Sequence, residues 1–343
     1  MSVYIVVGGF YGDEGKGKVA QYLASTDKPA IAARGGVGPN AGHEVKYKGK
    51  SFEFRHVPSA ALSSYMNIEL FVGPGVLIDP EVLSIELDDL EDFDPQIRKR
   101  FHIDGNCVIV EKRHKKSEQE NGYLSKEIGS MRSGCGPANS ERAMRKKDIN
   151  LAKDINELKL YVTEVSREIN EAIEQNKGVL LEGTQGFGLS LFHGPYPFVT
   201  SKDTTASQIA ADVGIGPTRV DEVVVVIKPY VTRAGMGPLD EYETIRVEED
   251  EIRPGVAIGS KRRIGKFDWD LARRALVTNG ATQIALTNLD RFWEEDKGVK
   301  TLNELTKETQ NFIEELEKKL KVPVTLISNG PNIEDMIDLR DRD

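Results

Sequence analysis

The sequence predicts an α/β fold in which a mostly parallel central sheet is flanked by helices. Short apolar runs rich in β-branched residues are typical of strands that are buried on both faces of a sheet. Each run is followed at once by a polar or glycine-rich segment, as expected at the carboxyl ends of parallel strands. The predicted strands are Val3–Val7, Gly178–Leu181, Val223–Ile227, Ile284–Leu286 and Val324–Ile327.

The segments that follow these five strands are expected to meet at one edge of the sheet. They read GGFYGDEGKGK, EGTQGFG, KPYVTRAG, TNLDR and SNGP. Ligands of open α/β sheets bind beyond the carboxyl ends of the strands. The sequence therefore predicts one binding site built from all five segments.

Three helices are predicted around the strands. A short helix over Val19–Ala24 follows the first glycine-rich segment. Apolar residues recur at steps of three and four through Leu151–Ile173, which predicts one long amphipathic helix. Thr301 and Glu304 have the spacing of a capping box ahead of an apolar stripe that ends at Leu320.

Composition and charge exclude several classes of protein. The 343 residues include 46 basic and 55 acidic ones, a net charge of −9 and a pI near 5.3, so no nucleic-acid or anionic membrane partner is expected. Cys107 and Cys135 lack the spacing of a disulfide framework or a zinc site. No run reaches the ~18 apolar residues of a membrane span, and no basic leader opens the chain. A cytoplasmic protein is expected.

The domain organisation is predicted to be simple. The sequence shows no internal repeat, low-complexity tract or Ser- or Pro-rich linker. A single domain over residues 1–343 is therefore expected, with a possible inserted subdomain over residues 88–150.

The glycine-rich run Gly12–Lys18 carries the strongest chemical signal. Its glycines allow backbone N–H groups to face phosphate oxygens, and the start of the following helix adds positive potential. The spacing satisfies GxxxxGK, but Val19 stands where a P-loop places the Ser or Thr that meets magnesium. Asp13 is therefore the candidate metal ligand in a P-loop-like nucleotide-binding fold. The alternative interpretation is a plain glycine turn between a strand and a helix.

A second glycine-rich segment, Arg34–His43, offers further polar groups. Asn40 supplies an amide and His43 an imidazole that titrates near neutral pH. A lone histidine is often structural, and that alternative stays open here. Its place in a loop beside the phosphate site favours a functional role.

The chain resembles the adenylosuccinate synthetase family. GDEGKGK at Gly12–Lys18 and NAGH at Asn40–His43 carry the likeness, and the short chain is similar to the form seen in some archaea. Further segments follow in the family's order: HVPSA at His56–Ala60, GPGVLIDP at Gly73–Pro80, EGTQG at Glu182–Gly186, HGPYPFVTSKDTTA at His193–Ala206, GIGP at Gly214–Pro217, TRAGMGP at Thr232–Pro238, LTNLD at Leu286–Asp290 and SNGP at Ser328–Pro331.

The resemblance implies a reaction and its participants. GTP would be the co-substrate in the ligation of IMP and L-aspartate to adenylosuccinate, through a 6-phosphoryl-IMP intermediate, with GDP and phosphate released. This is the first committed step from IMP to AMP. One Mg²⁺ ion per active site and a homodimer are implied, in which Arg145 reaches the neighbouring active site.

The resemblance also implies roles for individual residues. Asp13 would be the catalytic base and a magnesium ligand, His43 the acid that stabilises the transferring phosphoryl group, and Lys16 a third catalytic residue. The carbonyl of Gly42 would be a second metal ligand. An Asp290 carboxylate can accept hydrogen bonds from the N1 and N2 donors of guanine, which adenine lacks, and this would favour GTP over ATP.

The implied binding sets are larger. GTP would be bound by Gly12, Asp13, Glu14, Gly15, Lys16, Gly17, Lys18, Gly42, His43, Arg263, Asn288, Asp290, Ser328, Asn329 and Gly330. IMP would be bound by Asp13, Lys16, Asn40, Ala41, Gly42, His43, Ser130, Arg145, Gln185, Thr200 and Lys261. Aspartate would be bound by Ala257, Ile258, Gly259, Ser260, Lys261, Arg262 and Arg263.

Two rival functions stay open from the residues alone. A P-loop kinase or NTPase acting on another small molecule would turn over without aspartate, but it leaves NAGH and TRAGMGP unexplained. A GTP-sensing protein would bind GTP without consuming it. The Asp13–His43 pair counts against a sensor, because a sensor has no need of a positioned base.

Overall fold

A computed structural model describes residues 2–240 and 262–340. Its strands are β1 Val3–Gly8, β2 Ile31–Arg34, β3 His43–Tyr47, β4 Lys50–Phe54, β5 Glu69–Val72, β6 Leu77–Ile78, β7 Phe101–Asp104, β8 Val108–Ile109, β9 Val162–Thr163, β10 Val179–Glu182, β11 Glu222–Ile227, β12 Val231–Arg233, β13 Arg263–Gly265, β14 Gln283–Leu286, β15 Val324–Ser328 and β16 Met336–Asp338.

Helices connect these strands. The α-helices are α1 Lys16–Asp27, α2 Pro80–Glu91, α3 Ile97–Arg100, α4 Lys112–Glu120, α5 Cys135–Ala143, α6 Val165–Glu174, α7 Ala206–Val213, α8 Trp269–Asn279 and α9 Lys307–Leu320. Shorter 3₁₀ turns occupy Ser59–Leu62, Ala152–Asp154, Asn156–Tyr161, Phe187–Leu189, Pro217–Arg219, Leu289–Arg291, Glu294–Asp296, Leu302–Glu304 and Ile333–Asp335, and Tyr123–Ile128 forms a π-helical turn.

The centre of the described chain is a ten-stranded sheet. Its order is β16-β15-β14-β11-β1-β10-β2-β5-β7-β9, and every pairing is parallel except that of β15 with β16. The predicted mostly parallel sheet is confirmed. The five strands predicted from the sequence are the adjacent strands β15, β14, β11, β1 and β10, so their carboxyl ends lie side by side.

Both faces of the sheet are covered by helices. Val3, Ile5 and Val7 of β1 belong to one apolar cluster, together with residues of α6, α7, α8 and α9. Val6 belongs to a second cluster, with residues of α1 and α2. Alternate residues of a strand face opposite sides of its sheet, so the strands are apolar throughout. This burial explains why short apolar runs predicted the strands.

The single long helix predicted through Leu151–Ile173 is wrong. The chain forms 3₁₀ turns at Ala152–Asp154 and Asn156–Tyr161, then β9, and only then α6. The periodic apolar residues serve two different cores, since Leu158 packs in the α1 cluster and Ile169 in the opposite one. One straight helix could not reach both faces of the sheet.

The other predicted helices differ mainly in where they begin. α1 begins at Lys16, three residues before Val19. Thr301 and Glu304 do form a capping box, but it caps a single 3₁₀ turn. α9 begins after Thr306, whose side chain accepts a hydrogen bond from the Thr309 backbone N–H.

Residues 88–150, the possible inserted subdomain, divide between two regions. β7 belongs to the central sheet. Beyond it, Val108, Val110, Cys135 and Ala138 form a separate small apolar cluster with Val37 and Leu77. The subdomain boundary stays a prediction.

Candidate active site

The other four predicted segments meet around the first one, at its run Gly12–Lys18. The Lys228 ammonium group donates to the Asp13 carbonyl at 3.1 Å, and the Thr287 hydroxyl donates to the Glu14 carbonyl at 2.6 Å. Gly186 lies so close to the run that a Cβ on it would stand 2.4 Å from a Glu14 carboxylate oxygen. A hydrogen bond from Lys18 to the Ser328 hydroxyl connects the SNGP segment to the run.

Left-handed backbone and an internal carboxylate shape the glycine-rich run. Gly12, Asp13 and Gly15 have φ values of +94°, +58° and +78°. The Glu14 carboxylate is buried and accepts from the Phe10 and Gly12 backbone N–H groups at 3.1 and 2.8 Å. The run then leads directly into α1, whose N-terminus is a typical anion site.

Lys16 and Lys18 are already bound to other groups of the protein. Lys16 donates to the Glu14 carboxylate at 2.6 Å. Lys18 donates to Ser328 and to the Gly330 carbonyl. In this structure both lysines thus donate to acceptors within the protein, and the start of α1 adds positive potential beside them.

Asp13 presents a partly exposed carboxylate among positive charges. Its side chain is 30% exposed, and its carboxylate lies 2.5 Å from the Arg262 guanidinium group. Burial raises the pKa of Asp13, but Arg262, Lys228 and Lys16 outweigh it, so this pKa lies below its usual value. An ionised oxygen donor fits a magnesium ligand.

Gly42 is compatible with the second metal-ligand role. It is exposed, and a Cβ on it would meet only a Glu53 oxygen at 3.5 Å. Within residues 2–240 and 262–340, no cluster of three or more His, Cys, Asp or Glu side chains could enclose a metal ion. Magnesium is commonly bound by one or two carboxylates together with substrate phosphates.

His43 lies at the start of β3 in a buried charged network. Its Nδ1 is 2.5 Å from the Glu182 carboxylate and 2.8 Å from the Arg34 guanidinium group. Arg34 and Glu182 also form a salt bridge at 2.9 Å. Ser59 donates to Glu182 through both its backbone N–H and its hydroxyl group. The network fixes the imidazole ring beside α1, where the Cβ of His43 would lie 3.0 Å from a Cβ on Gly17.

The contacts of His43 assign its tautomer. Nδ1 can donate to a carboxylate or accept from a guanidinium group, but a single nitrogen cannot do both. The shorter contact, to Glu182, places the proton on Nδ1. Nε2 is buried and has no hydrogen-bond partner among the described residues. It is the atom of His43 that is left for a ligand.

Burial and the Arg34 charge lower the pKa of His43 to about 4, although Glu182 acts in the opposite direction. Burial raises the pKa of Glu182, but the Arg34 charge and the hydrogen bonds from His43 and Ser59 together outweigh burial, so this pKa lies below its usual value and Glu182 is ionised. At neutral pH the free protein therefore holds a neutral His43 ring beside a charged Arg34–Glu182 pair.

Three of the residues expected to bind IMP are in contact with one another. The Gln185 amide donates to the Asn40 side-chain oxygen at 3.1 Å, and the Asn40 amide donates to the Thr200 hydroxyl at 3.3 Å. The loop containing Asn40 also leads into His43. These contacts join the segment after β2 to the segment after β10.

Ser130 and Arg145 are also predicted to bind IMP. The Ser130 hydroxyl donates to the buried Glu118 carboxylate, in a loop that packs against Gly235. Arg145 is exposed just beyond the end of α5. In the part of the chain that the structure describes, its guanidinium group has no hydrogen-bond or ion-pair partner.

The segments expected to recognise guanine adjoin each other after β14 and β15. Asp290 lies in a 3₁₀ turn, and burial raises its pKa despite nearby Arg291 and Lys18. Asn288 precedes that turn with φ +57°. The buried Asn329 side chain donates to the Val299 carbonyl at 2.7 Å, which points it into the protein.

The expected aspartate-binding run is described only in part. Ala257, Ile258, Gly259, Ser260 and Lys261 lie outside the described residues. Arg262 contacts Asp13, and Arg263 donates to the carbonyls of Gly235 and Gly237 at 3.2 and 2.7 Å.

Sequence reasoning assigned no role to several residues that organise this site: Arg34, Ser59, Glu182 and Lys228. Arg34 and Glu182 end the buried strands β2 and β10. A charged residue at the end of an apolar run could have indicated that each of them faces the site. Their contacts with His43 could not be predicted, because the residues are far apart in sequence.

Every helix within residues 2–240 and 262–340 is too short or too polar to span a bilayer. Comparisons with known structures identify the fold. The fully ligated adenylosuccinate synthetase of Plasmodium falciparum has a TM-score of 0.87 at 24% identity, covering 98% of this chain and 100% of that one. Succinoaminodeoxyadenylate synthetase of cyanophage S-2L has a TM-score of 0.76 at 24% identity, covering 98% and 95%. Both show a shared fold.

Sequence comparisons identify the family. Residues 5–153 and 149–293 match the family model described as adenylosuccinate synthetase. The adenylosuccinate synthetase of Thermococcus sibiricus is 50% identical over 346 residues, which cover 99% of each chain. That of Methanocaldococcus jannaschii is 50% identical over 342 residues, covering 98% of this chain and 96% of the other. The chain belongs to the adenylosuccinate synthetase family.

Proposed function

We propose that this chain, which as a member of its family is a GTP-dependent ligase of IMP and L-aspartate in purine biosynthesis, forms adenylosuccinate through 6-phosphoryl-IMP. The observation that carries this proposal is the arrangement of Asp13 and His43. We call the glycine-rich run Gly12–Lys18 the phosphate loop. It contains the ionised Asp13 carboxylate, and the buried His43 imidazole, which has one unpartnered nitrogen among the described residues, packs against it.

Asp13 is proposed as the base of the first step. Its lowered pKa keeps it ionised at neutral pH, so it can accept the N1 proton of IMP. The O6 oxyanion of IMP then attacks the γ-phosphorus of GTP, and the bond from that phosphorus to the bridging oxygen of GDP breaks. Arg262 must leave Asp13 before Asp13 can accept the proton, because its guanidinium group donates hydrogen bonds to both carboxylate oxygens.

His43 is proposed to stabilise the phosphoryl group during its transfer from GTP to IMP. Since Nδ1 donates to Glu182, Nε2 can donate to a phosphoryl oxygen only when the ring is protonated. The negative charge of bound triphosphate would raise the pKa of His43 from its low value in the free protein. Glu182 would orient the ring and stabilise the cation.

Aspartate completes the reaction in the second step. Its amino group attacks C6 of 6-phosphoryl-IMP, phosphate leaves with the electrons of the C6–O6 bond, and the nitrogen loses its extra proton. Arg262 and Arg263, with the undescribed run 257–261, are proposed to bind the aspartate carboxylates. Arginine suits this role because its planar fork can donate two parallel hydrogen bonds.

Magnesium is proposed to be held by Asp13 and the Gly42 carbonyl, one ion per active site. When bound, the ion would neutralise charge on the phosphate oxygens. The phosphate loop supports the same subsite through its backbone N–H groups and the N-terminus of α1. Lys16, tied to Glu14, adds a fixed positive charge nearby.

The two nucleotides are proposed to bind on opposite sides of the phosphate loop. IMP would meet the contacting group Asn40, Gln185 and Thr200, with Ser130 at its edge. Guanine would meet Asp290 and the SNGP segment. Arg145 would bind IMP in the neighbouring subunit of a homodimer. The cytoplasmic location expected from the sequence stays a prediction.

Product analysis tests the proposed reaction. Purified protein would be mixed with IMP, L-aspartate, GTP and magnesium, and each component would be omitted in turn. Adenylosuccinate, GDP and phosphate are expected only from the complete mixture. Positional exchange of the bridging ¹⁸O of [β,γ-¹⁸O]GTP, with IMP present and aspartate absent, would support the phosphorylated intermediate.

The same experiment identifies the rivals. GTP hydrolysis that continues without aspartate or IMP would indicate an NTPase. GTP binding with no product in any mixture would indicate a sensor. Adenylosuccinate formed without isotope exchange would leave the ligation standing and count against the two-step path.

A further inference from the structure

Lys18 connects the phosphate loop to the segment that follows β15. Its ammonium group donates to the Ser328 hydroxyl at 2.7 Å and to the Gly330 carbonyl at 2.6 Å. Lys18 belongs to the first turn of α1, and the two acceptors lie 310 and 312 residues away in sequence. The bridge therefore joins two parts of the molecule that would each contact a different end of a nucleotide.

The lysine is held in a buried position that costs free energy. Lys18 is 9% exposed, and burial lowers its pKa to about 8. Asp335, Asp290 and Glu334 oppose this shift through their negative charge. A lysine whose role is to bind phosphate needs no acceptor in the protein when the ligand is absent. Lys18, in contrast, already donates two hydrogen bonds to the protein itself.

Other contacts hold the far side of the same segment. Asn329 donates to the Val299 carbonyl, and its own carbonyl accepts from the Gly298 backbone N–H at 3.1 Å. Lys300 donates to the Glu334 carbonyl at 2.7 Å. These contacts fasten residues 328–335 to the loop after β14. Lys18 adds a link toward the phosphate loop.

Lys18 also determines what the Ser328 hydroxyl can offer a ligand. Because the ammonium group can only donate, the Ser328 oxygen accepts and the hydroxyl proton is left for another acceptor. Within residues 2–240 and 262–340, that proton has only a long 3.5 Å contact with the Gly330 carbonyl. A hydroxyl donor matches the O6 acceptor of guanine, whereas adenine presents an amino group at the same place.

We propose that Lys18 is a positioning residue that determines base specificity, by fixing Ser328 and Gly330 relative to the phosphate loop. The inference rests on the proposed assignment of guanine recognition to Asp290 and the SNGP segment. It departs from the expectation that Lys18 binds phosphate. The two roles predict different losses when the amine is removed.

Equilibrium binding distinguishes the two roles. Dissociation constants for GDP, ADP and pyrophosphate would be measured by calorimetry on the full chain, for the wild type and for Lys18→Met. Loss of charged hydrogen bonds that orient the base is expected to weaken GDP binding by about tenfold to a hundredfold. ADP and pyrophosphate affinities should change far less, so the preference for GDP over ADP should shrink.

Two further variants complete the design. Ser328→Ala removes one acceptor of Lys18 with little change in volume, and it should reduce the same preference. The double variant should lose less than the sum of the two single effects, because both act on one contact. Lys300→Met is the matched control: it makes the same substitution at a lysine that holds residues 334–335 from an exposed position, and the preference should be kept.

Each contrary result has a distinct meaning. Equal weakening of GDP, ADP and pyrophosphate by Lys18→Met would overturn the inference and make Lys18 a phosphate ligand. An unchanged preference in both Lys18→Met and Ser328→Ala would also overturn it. If Lys18→Met does not fold, Ser328→Ala decides alone. A wild type with no preference for GDP would instead reject the guanine assignment on which the inference depends.

Discussion

At the residue scale, the site combines charges with burial so that most groups already have partners before a substrate arrives. Lys16 forms a salt bridge with Glu14, Glu182 forms one with Arg34, and Asp13 forms one with Arg262. Among the described residues, the buried Nε2 of His43 has no hydrogen-bond partner. Substrates must therefore replace existing contacts at Asp13 but can add one at His43. This difference leads to separate expectations for the two residues.

Asp13→Asn should reduce turnover by about a hundredfold or more, because the amide can neither accept the N1 proton nor carry the charge of a magnesium ligand. The fold should persist, since Asp13 is partly exposed and its backbone carbonyl, not its side chain, anchors Lys228. Steady-state kinetics and urea unfolding measure both effects. Asp270→Asn, an identical change at a side chain that is 90% exposed, is the control and should leave turnover unchanged. Near-normal turnover of Asp13→Asn would remove Asp13 from the mechanism.

His43 should make the free protein less stable as the solution becomes acidic. Its folded pKa of about 4 lies below the ordinary 6.5, so the unfolded chain binds more protons between these values. The free energy of unfolding should consequently fall as pH falls from about 6.5 to about 4. The depressed pKa of Glu182 adds a further loss below its ordinary value of 4.5.

Urea unfolding at pH 7, 6, 5 and 4.5, without nucleotide or metal, tests this dependence in the wild type and in His43→Asn. The variant lacks the titrating ring and should lose less stability across the series. Parallel curves for the two proteins would show that His43 is not responsible.

At the scale of elements, the sequence pattern predicted a helix or strand correctly where all its apolar residues lie in the same kind of surroundings. The five predicted strands are buried on both faces, so each reads as an uninterrupted apolar run. The strands β2, β5, β7, β9 and β16 were not predicted, because their short sequences include alanine, polar or charged residues and do not read as uninterrupted apolar runs. The predicted helix through Leu151–Ile173 failed because its apolar residues divide between two cores.

Asp296→Ala should destabilise the start of α9. The buried Asp296 carboxylate accepts from the Thr306 backbone N–H at 2.6 Å, from the Thr306 hydroxyl at 3.1 Å and from the Thr309 hydroxyl. Removing it leaves three donors without their acceptor, and a loss of about 2–4 kcal/mol in unfolding free energy is expected. Chemical denaturation measures it. Glu295→Ala, at an exposed neighbour, is the control and should have little effect; equal losses in both variants would contradict this role.

At the scale of the whole molecule, the sheet topology explains how remote motifs form one site. Because β15, β14, β11, β1 and β10 are adjacent and parallel, the segments after them share one edge. That convergence was predicted from the rule that ligands of open α/β sheets bind beyond the carboxyl ends of the strands. The contacts made there were not, since Lys18–Ser328 and His43–Glu182 join residues whose pairing has no local sequence signature.

The proposed homodimer can be tested through the role proposed for Arg145. The exposed Arg145 lies beyond α5, while Asp13 lies at the carboxyl edge of β1. If Arg145 serves the neighbouring subunit, Arg145→Leu and Asp13→Asn damage different chains' contributions to one site. Each variant alone should be strongly impaired. A mixed dimer would then contain one site with both defects and one intact site.

Mixing the two variants in equal amounts and letting the subunits exchange should therefore restore activity. Half of the dimers would be mixed and half of their sites intact, so about a quarter of wild-type turnover is expected. Sedimentation of the mixture would establish that dimers persist. If Arg145 acted within its own subunit, every site of a mixed dimer would carry one defect and no activity would return. Recovery thus requires both a dimer and an arginine that crosses its interface.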